Sequence, residues 1–505
     1  MPLPDRVLDP SGTPGEDDLG DLRTRALAVL TAPDLAHVVD LVAYADGDAV
    51  HVVNVDGETV FDRAAPHVVR RTTGRDPIAA QDPLAFTPLA AEPHAPGNAD
   101  NVYPFARERL ADLFEHAAAP DLAVVHTPAH YWAERGGHLG EHGSLDVVQS
   151  RAPLILSGFG VAERGMLARA ARTIDVGPTL GHAVGVPAYD DGTHLRNQSG
   201  AALVDLVAPG AAHVVGLLWD GCNSNDLYAM AQSGGLENVA RLLARGCALT
   251  GGAIAEFPSV TLVNHTSALT GAGPGRHGIL NNAYFDRRRG EQGEQVVANE
   301  SATWHRAGEW LEPTVETVFE AVARTMPDAR TACVNEPVDR GATYSTFGLV
   351  REYGHSDGAK SLTSTLPDPT TDPYATQEYV AADSGYAWGS SVDATGLAQV
   401  LGLWGDPATR PALMWWNTTL TDSAHHAGGP HSPIARASMR DADARLGVFL
   451  DLLDDAGLTD DTFVLLTSDH GSAAADPTCT GDWDEALRAA GVPFRDEAYG
   501  FIYLG

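Results

Sequence analysis

Apolar positions along this chain fall into two rhythms. Short unbroken apolar runs at 122–126 and 153–157 read as buried strands, and longer windows with apolar residues three and four apart read as helices. The helical windows lie at 22–30, 105–117, 236–243 and 313–324. In the second, Leu110, Leu113 and Phe114 share a face, and in the last, Val315, Val318, Phe319 and Val322 do so. Strands at 38–43 and 49–55 flank the turn signal Ala45-Asp46-Gly47-Asp48, which predicts a hairpin. Past residue 210, three apolar runs each finish on an acidic residue: one at Asp220, one at Asp422 and one at Asp469-His470.

Apolar strands alternating with helices predict an α/β fold around a mostly parallel sheet. Such sheets bind ligands at the carboxyl ends of their strands, so three strands delivering carboxylates to one edge mark a candidate metal site. A length of 505 residues allows two to four structural units at about 150 residues each. Composition marks a loose Pro/Gly/Asp-rich arm at 1–20 and a turn-rich linker at 188–210, with a segment at 21–187 between them.

Charge narrows the function. Lys and Arg total 33 against 67 Asp and Glu, a net charge of −34, and Lys360 is the sole lysine. With no basic stripe to displace counterions, the balance argues against a nucleic-acid partner. An anionic substrate would then need positive charge supplied locally, and metal ions are its natural source. Cys222, Cys247, Cys333 and Cys479 lack CxxC spacing, which argues against a disulfide scaffold and a thiolate zinc site. The first residues show no basic stretch followed by an apolar run, and no apolar stretch approaches ~20 residues, so a cytoplasmic enzyme without membrane spans is expected.

The ligand inventory is carboxylate and imidazole: Asp220, then Asp422 with His426 four residues on and His425 beside it, then Asp469-His470. Without thiolates, this set suits Zn²⁺ or another divalent first-row metal such as Mn²⁺.

The segment Phe257-Pro258-Ser259-Val260-Thr261-Leu262-Val263-Asn264-His265, followed by Thr270-Gly271 and by Pro274, His277-Gly278-Ile279 and Asn282, carries a more specific signal. It resembles the nucleophile region of the alkaline phosphatase superfamily, in its nucleotide pyrophosphatase/phosphodiesterase branch, whose motif runs FPTxTFPNHxxLxTGxxPxxHGIxxN. The resemblance implies a nucleophile at Thr261 and a phosphoryl-oxygen amide at Asn282. Ser259 is a rival hydroxyl at the earlier, non-nucleophilic position. It also implies two divalent ions: one held by Asp220, Asp469, His470 and Thr261, the other by Asp422, His426 and one more histidine. In the family that histidine follows the Asp-His-Gly element in a G-x-HG motif, but no histidine follows His470 here. The N-terminal portion instead carries Gly140-Glu141-His142-Gly143-Ser144 and, further on, Asp175-Val176-Gly177-Pro178-Thr179-Leu180, which look like the family's final third. The expected fold is therefore alkaline-phosphatase-like, a central mostly parallel sheet flanked by helices with a smaller cap, in circularly permuted order. The resemblance implies a core segment at 211–300, an insert or cap at 301–400 and a second core segment at 401–505. His142 becomes the missing ligand, with His138 as the alternative.

Activity follows from the resemblance: phosphodiester or pyrophosphate hydrolysis through a threonine nucleophile on a small-molecule substrate. Monoesterases and phosphonate hydrolases of the superfamily add paired basic side chains, and no KxR or KxK element exists here. Arg340 and Arg351 are the available substitutes, and Tyr344, Tyr353 and Trp388 are candidates to stack on a base or aryl group. The alternatives are a monoesterase or phosphonate hydrolase on the same frame, or a degenerate metal-binding protein.

Overall fold

The structure is a computed structural model and describes residues 16–87, 100–162, 164–353 and 366–505. Its central sheet has eight strands in the order Tyr344–Ser345, Thr331–Val334, Leu413–Thr418, His213–Trp219, Thr462–Thr467, Leu154–Gly158, Gly246–Leu249 and Gly165–Leu167. The first five run parallel, and Leu154–Gly158 lies antiparallel to both of its neighbours. Leu413–Thr418 and Thr462–Thr467 are buried at every position. This is why they read as continuous apolar runs rather than as alternation: helices cover both faces.

A second, antiparallel sheet of seven strands runs Phe494–Glu497, Phe501–Leu504, Leu122–His126, Val39–Asp46, Ala49–Asn54, Gly57–Asp62 and Val69–Gly74. The expected hairpin is its middle, with Tyr44 opposite His51. Both sheets draw strands from the two ends of the chain. Leu154–Gly158 completes the sheet built by the later residues, and Phe501–Leu504 completes the sheet built by the earlier ones.

Several expectations shift. The first helix begins at Glu16, inside the expected arm, whose residues 1–15 lie outside the described residues. The window at 313–324 becomes a helix only from Val318. Thr317 caps it, accepting from the Glu320 amide at 3.1 Å while Glu320 accepts from the Thr317 amide at 2.9 Å, a capping box that fixes the start. The stretch 301–400 is not wholly an insert: Thr331–Val334, buried throughout, belongs to the central sheet. The run expected to end at Asp422 leaves the sheet at Thr418, and Asp422 sits in the following helix, Leu420–Gly428. The turn is held by the Thr419 amide, which donates to Asp393 at 2.8 Å. The 188–210 connection is packed at its far end, where Leu195, Leu203, Leu206 and Val207 are buried. Lys360 lies outside the described residues. Among the described residues, no helix is long and apolar enough to cross a membrane.

Candidate functional site

Five segments converge at the carboxyl edge of the parallel strands. Asp220 follows His213–Trp219 directly, Asp469 and His470 follow Thr462–Thr467, and Asp422 and His426 stand one turn apart on the Leu420–Gly428 helix. His142 comes from the loop after the short Gly140–Glu141 strand, which pairs with Ala473–Ala474 just beyond His470. Thr261 opens the Thr261–Thr270 helix.

The first cluster is Asp220, Asp469 and His470, all buried, with ligating atoms within 4.8 Å of one another. His470 Nε2 lies 3.0 Å from Asp469 Oδ2 and 3.9 Å from Asp220 Oδ1. Asp469 spends its other oxygen on the Gly221 amide at 3.0 Å. Asp220 Oδ1 is buried without a hydrogen bond, and Asp469 Oδ2 and His470 Nε2 meet each other, with Asp220 and His265 beside them. Burial, reinforced by Asp469, drives the Asp220 carboxyl well above its ordinary range. Burial also opposes charge on Asp469, but His470 and His265 outweigh it and hold that carboxyl below the usual value. His470 goes the other way: burial disfavours its cation, yet Asp469 raises it to about 9.

The second cluster is His142, Asp422 and His426. His142 Nδ1 donates to the Ser259 carbonyl at 3.1 Å, and His426 Nδ1 donates to the Gly140 carbonyl at 2.8 Å. Both ring protons are thereby committed, which leaves two bare Nε2 atoms facing each other at 3.2 Å. Asp422 Oδ1 stands 3.4 Å from His426 Nε2 and 3.9 Å from His142 Nε2. Burial, with His470 and His426 adding to it, holds His142 well below the ordinary imidazole value and so neutral. Two lone pairs and a carboxylate aimed at one point form a donor set that fits a cation. The clusters adjoin: the His142 and His470 rings stack at 3.8 Å, and a Cβ on Gly221 (φ +63°) would collide with Asp422.

His138 stands outside this inner group, and His425 turns away from it. Its Nδ1 meets the Thr421 carbonyl at 2.6 Å and its Nε2 receives the Asn223 amide at 3.4 Å. Ser259 is also committed, donating to the Ser144 carbonyl at 2.7 Å and accepting from the Gly143 amide at 3.1 Å. Thr261 is two residues beyond the carbonyl that holds His142. Beside it, Asn282 Oδ1 accepts from the Leu262 amide at 3.3 Å. Asn264 ties this loop together, accepting from the Glu256 amide at 2.6 Å and donating to the Glu256, Pro258 and Val260 carbonyls at 3.1–3.3 Å.

The substitutes for a basic pair are spent elsewhere. Arg340 pairs with Glu320 at 2.9 Å, and Arg351 pairs with Asp339 at 2.5 Å. Tyr344 packs against the core, and Trp388 lies 6.0 Å from Trp304 between ring centroids. The Tyr353 side chain lies outside the described residues.

One residue was quoted within the motif without a role. His265, fully buried, sets Nε2 3.6 Å from both Asp220 Oδ2 and Asp469 Oδ2, and Nδ1 2.8 Å from Glu336. Burial would lower its pKa, but Glu336 and the two aspartates hold it well above the ordinary value. Glu336 in turn accepts from Trp415 Nε1 at 3.0 Å and from the Val338 amide at 2.9 Å. Nothing in the sequence marks Glu336.

An α/β sheet bearing this strand-end array of carboxylates and imidazoles defines a candidate metal-dependent hydrolase, and the sequence match places it in the alkaline phosphatase superfamily. Within it, the chain belongs to the type I phosphodiesterase / nucleotide pyrophosphatase family, whose sequence model matches residues 214–504. An uncharacterized pyrophosphatase/phosphodiesterase of Schizosaccharomyces pombe is 25% identical over 249 residues, 48% of this chain and 42% of the relative. The chain thus spans less than half the length of that curated relative. Among solved structures, a murine ectonucleotide pyrophosphatase/phosphodiesterase 5 bound to AMP is 16% identical, with a TM-score of 0.35 over 53% of this chain and 59% of that one. A Sinorhizobium meliloti phosphonoacetate hydrolase bound to phosphonoformate is 22% identical, with a TM-score of 0.34 over 55% and 59%.

Proposed function

We propose that the protein is a two-metal phosphodiesterase with a threonine nucleophile, built on a circularly permuted frame. Asp220, Asp469, His470 and Thr261 would hold one divalent ion and His142, Asp422 and His426 the other, with Zn²⁺ the best match to the donor set and Mn²⁺ the next. The observation that carries this is the pair of bare imidazole nitrogens 3.2 Å apart, one from residue 142 and one from residue 426. When bound, such ions lower the pKa of a coordinated hydroxyl and neutralise phosphoryl charge.

The chain's own residues supply the rest. Thr261 offers its hydroxyl at a helix N-terminus, where the dipole favours negative charge. It attacks phosphorus, and the alcohol or phosphate leaves from the opposite side, giving a phospho-threonine that water then hydrolyses. Asn282, held beside the Leu262 amide, donates to a non-bridging oxygen. A diester carries one negative charge fewer than a monoester, which suits a chain whose candidate basic side chains, Arg340 and Arg351, are paired with Glu320 and Asp339. The permuted order is supported by the parallel contributions to one site: residues 140–144 and 211–470 together supply what the family takes from one continuous run.

Thr261→Ala should lower turnover of bis-p-nitrophenyl phosphate by at least ~10³-fold with the thermal midpoint retained, as loss of a covalent nucleophile does. The parent should hydrolyse this diester faster than p-nitrophenyl phosphate. A variant as active as the parent would remove Thr261 from the reaction.

A further inference from the structure

A third group of ligating side chains lies on the solvent side of the His142–Asp422–His426 cluster. His138, Glu141 and His426 bring their donor atoms within 4.8 Å of one another. The Glu141 carboxylate is buried, at 2% exposure, and its ion-pair partner is His138, whose Nδ1 lies 3.3 Å away. The His138 side chain is about half exposed, at 48%, and its ring lies 4.2 Å from that of His426 between centroids. A carboxylate removed from water in this way demands a cation beside it.

The backbone explains how one histidine serves two groups. The Gly140 carbonyl takes the Nδ1 proton of His426, so Nε2 is the ring's one free donor. Glu141, the next residue, points its side chain to His138, while His142, one further on, points to the other side of His426. Alternation along an extended segment thus places a buried carboxylate on one side of His426 and a buried imidazole on the other.

We propose that His138, Glu141 and His426 form an outer site for a divalent transition-metal ion, and that it competes with the inner position for the single Nε2 lone pair of His426. A carboxylate with two imidazoles is a sufficient set for Zn²⁺. An ion in the outer site withdraws His426 from His142 and Asp422, so excess metal depresses turnover. The proposal rests on reading His142, Asp422 and His426 as a catalytic metal position.

The test is a titration of the metal-depleted full chain with Zn²⁺, read as hydrolysis of bis-p-nitrophenyl phosphate. Parent activity should rise and then fall with increasing free Zn²⁺. In Glu141→Gln and in His138→Ala the rise and the maximal rate should match the parent, and the fall should move to about tenfold or more higher Zn²⁺, the usual cost of losing a metal-site partner. His138 is half exposed, so its variant keeps the test open if the Glu141 variant fails to fold. Crystals of the parent at high Zn²⁺ should show anomalous density between His138 and Glu141, absent from Glu141→Gln. An identical fall in all three proteins, or no anomalous peak at that position in the parent, would overturn the outer site. Absence of density between His142 and Asp422 in crystals grown at the Zn²⁺ of maximal activity, below the fall, would instead overturn the catalytic reading, and the two failures are separable.

Discussion

His265 occupies the point where the Asp220 and Asp469 carboxylates meet, 3.6 Å from an oxygen of each, with Glu336 behind it at 2.8 Å. Held this way, the imidazole orients Asp220 and Asp469, and on the proposed two-metal reading Glu336 is a positioning residue for that centre. Glu336→Gln keeps a similar shape and the capacity to accept from Trp415 while removing the charge that fixes the ring. Chelator competition should show Zn²⁺ affinity at the Asp220–Asp469–His470 cluster falling by about 10-fold, within the range for outer partners of ligands. Unchanged affinity would reduce Glu336 to a packing role. At this scale the sequence was legible where a motif put ligating side chains in a fixed local order, as in Asp469-His470, which the structure groups with Asp220. It was silent on Glu336, which a non-local strand brings under the site, and it offered His425 without showing that a helical turn rotates the ring onto the Thr421 carbonyl.

Between elements, the Ala106–Leu113 helix reaches the Pro274–His277 turn through Asp112, which accepts from the Gly275 amide at 2.9 Å. A Cβ on Gly273 or Gly275 would collide with this residue, so close approach of backbone and carboxyl needs glycine there. Burial, followed by the nearby Glu256, raises the Asp112 carboxyl to about 7. The folded value exceeds the unfolded one of ~3.9, so folding favours the protonated form, and the group's contribution falls as pH rises through the interval between them. From pH 5 to pH 8 the loss is about 2–3 kcal/mol. Urea unfolding of the metal-free protein should therefore show a decline across this range that is smaller in Asp112→Asn by that amount. Equal declines in the two proteins would place the titration elsewhere. Helices and strands were legible from periodicity because burial follows it. Their ends were less so: the helix at Val318 starts late because of a capping box, and Asp422 leaves the sheet because the chain turns at Thr419.

The molecule as a whole is knitted across its midpoint. Leu154–Gly158 is hydrogen-bonded on both edges by strands from beyond residue 240, and Phe501–Leu504 closes on Leu122–His126. The Arg25 guanidinium donates to the Ala490 and Gly491 carbonyls at 3.0 and 2.7 Å, binding the first helix to the end of the chain. Composition divided the chain into segments in a row, because turn-rich stretches are visible in one dimension and strand exchange between segments is not. The stretch 187–192 is exposed throughout and is the longest such run at the 188–210 connection, whereas Leu195, Leu203, Leu206 and Val207 enter the core. A protease site placed there should give two fragments that stay together through gel filtration, unfold in one transition and keep the parent's metal content, since separating them would expose the two inner strand edges and strand His142 from Asp422 and His426. Fragments that part under native conditions would mean that the earlier residues form an independent unit, and the imidazole they supply would no longer belong to the same centre.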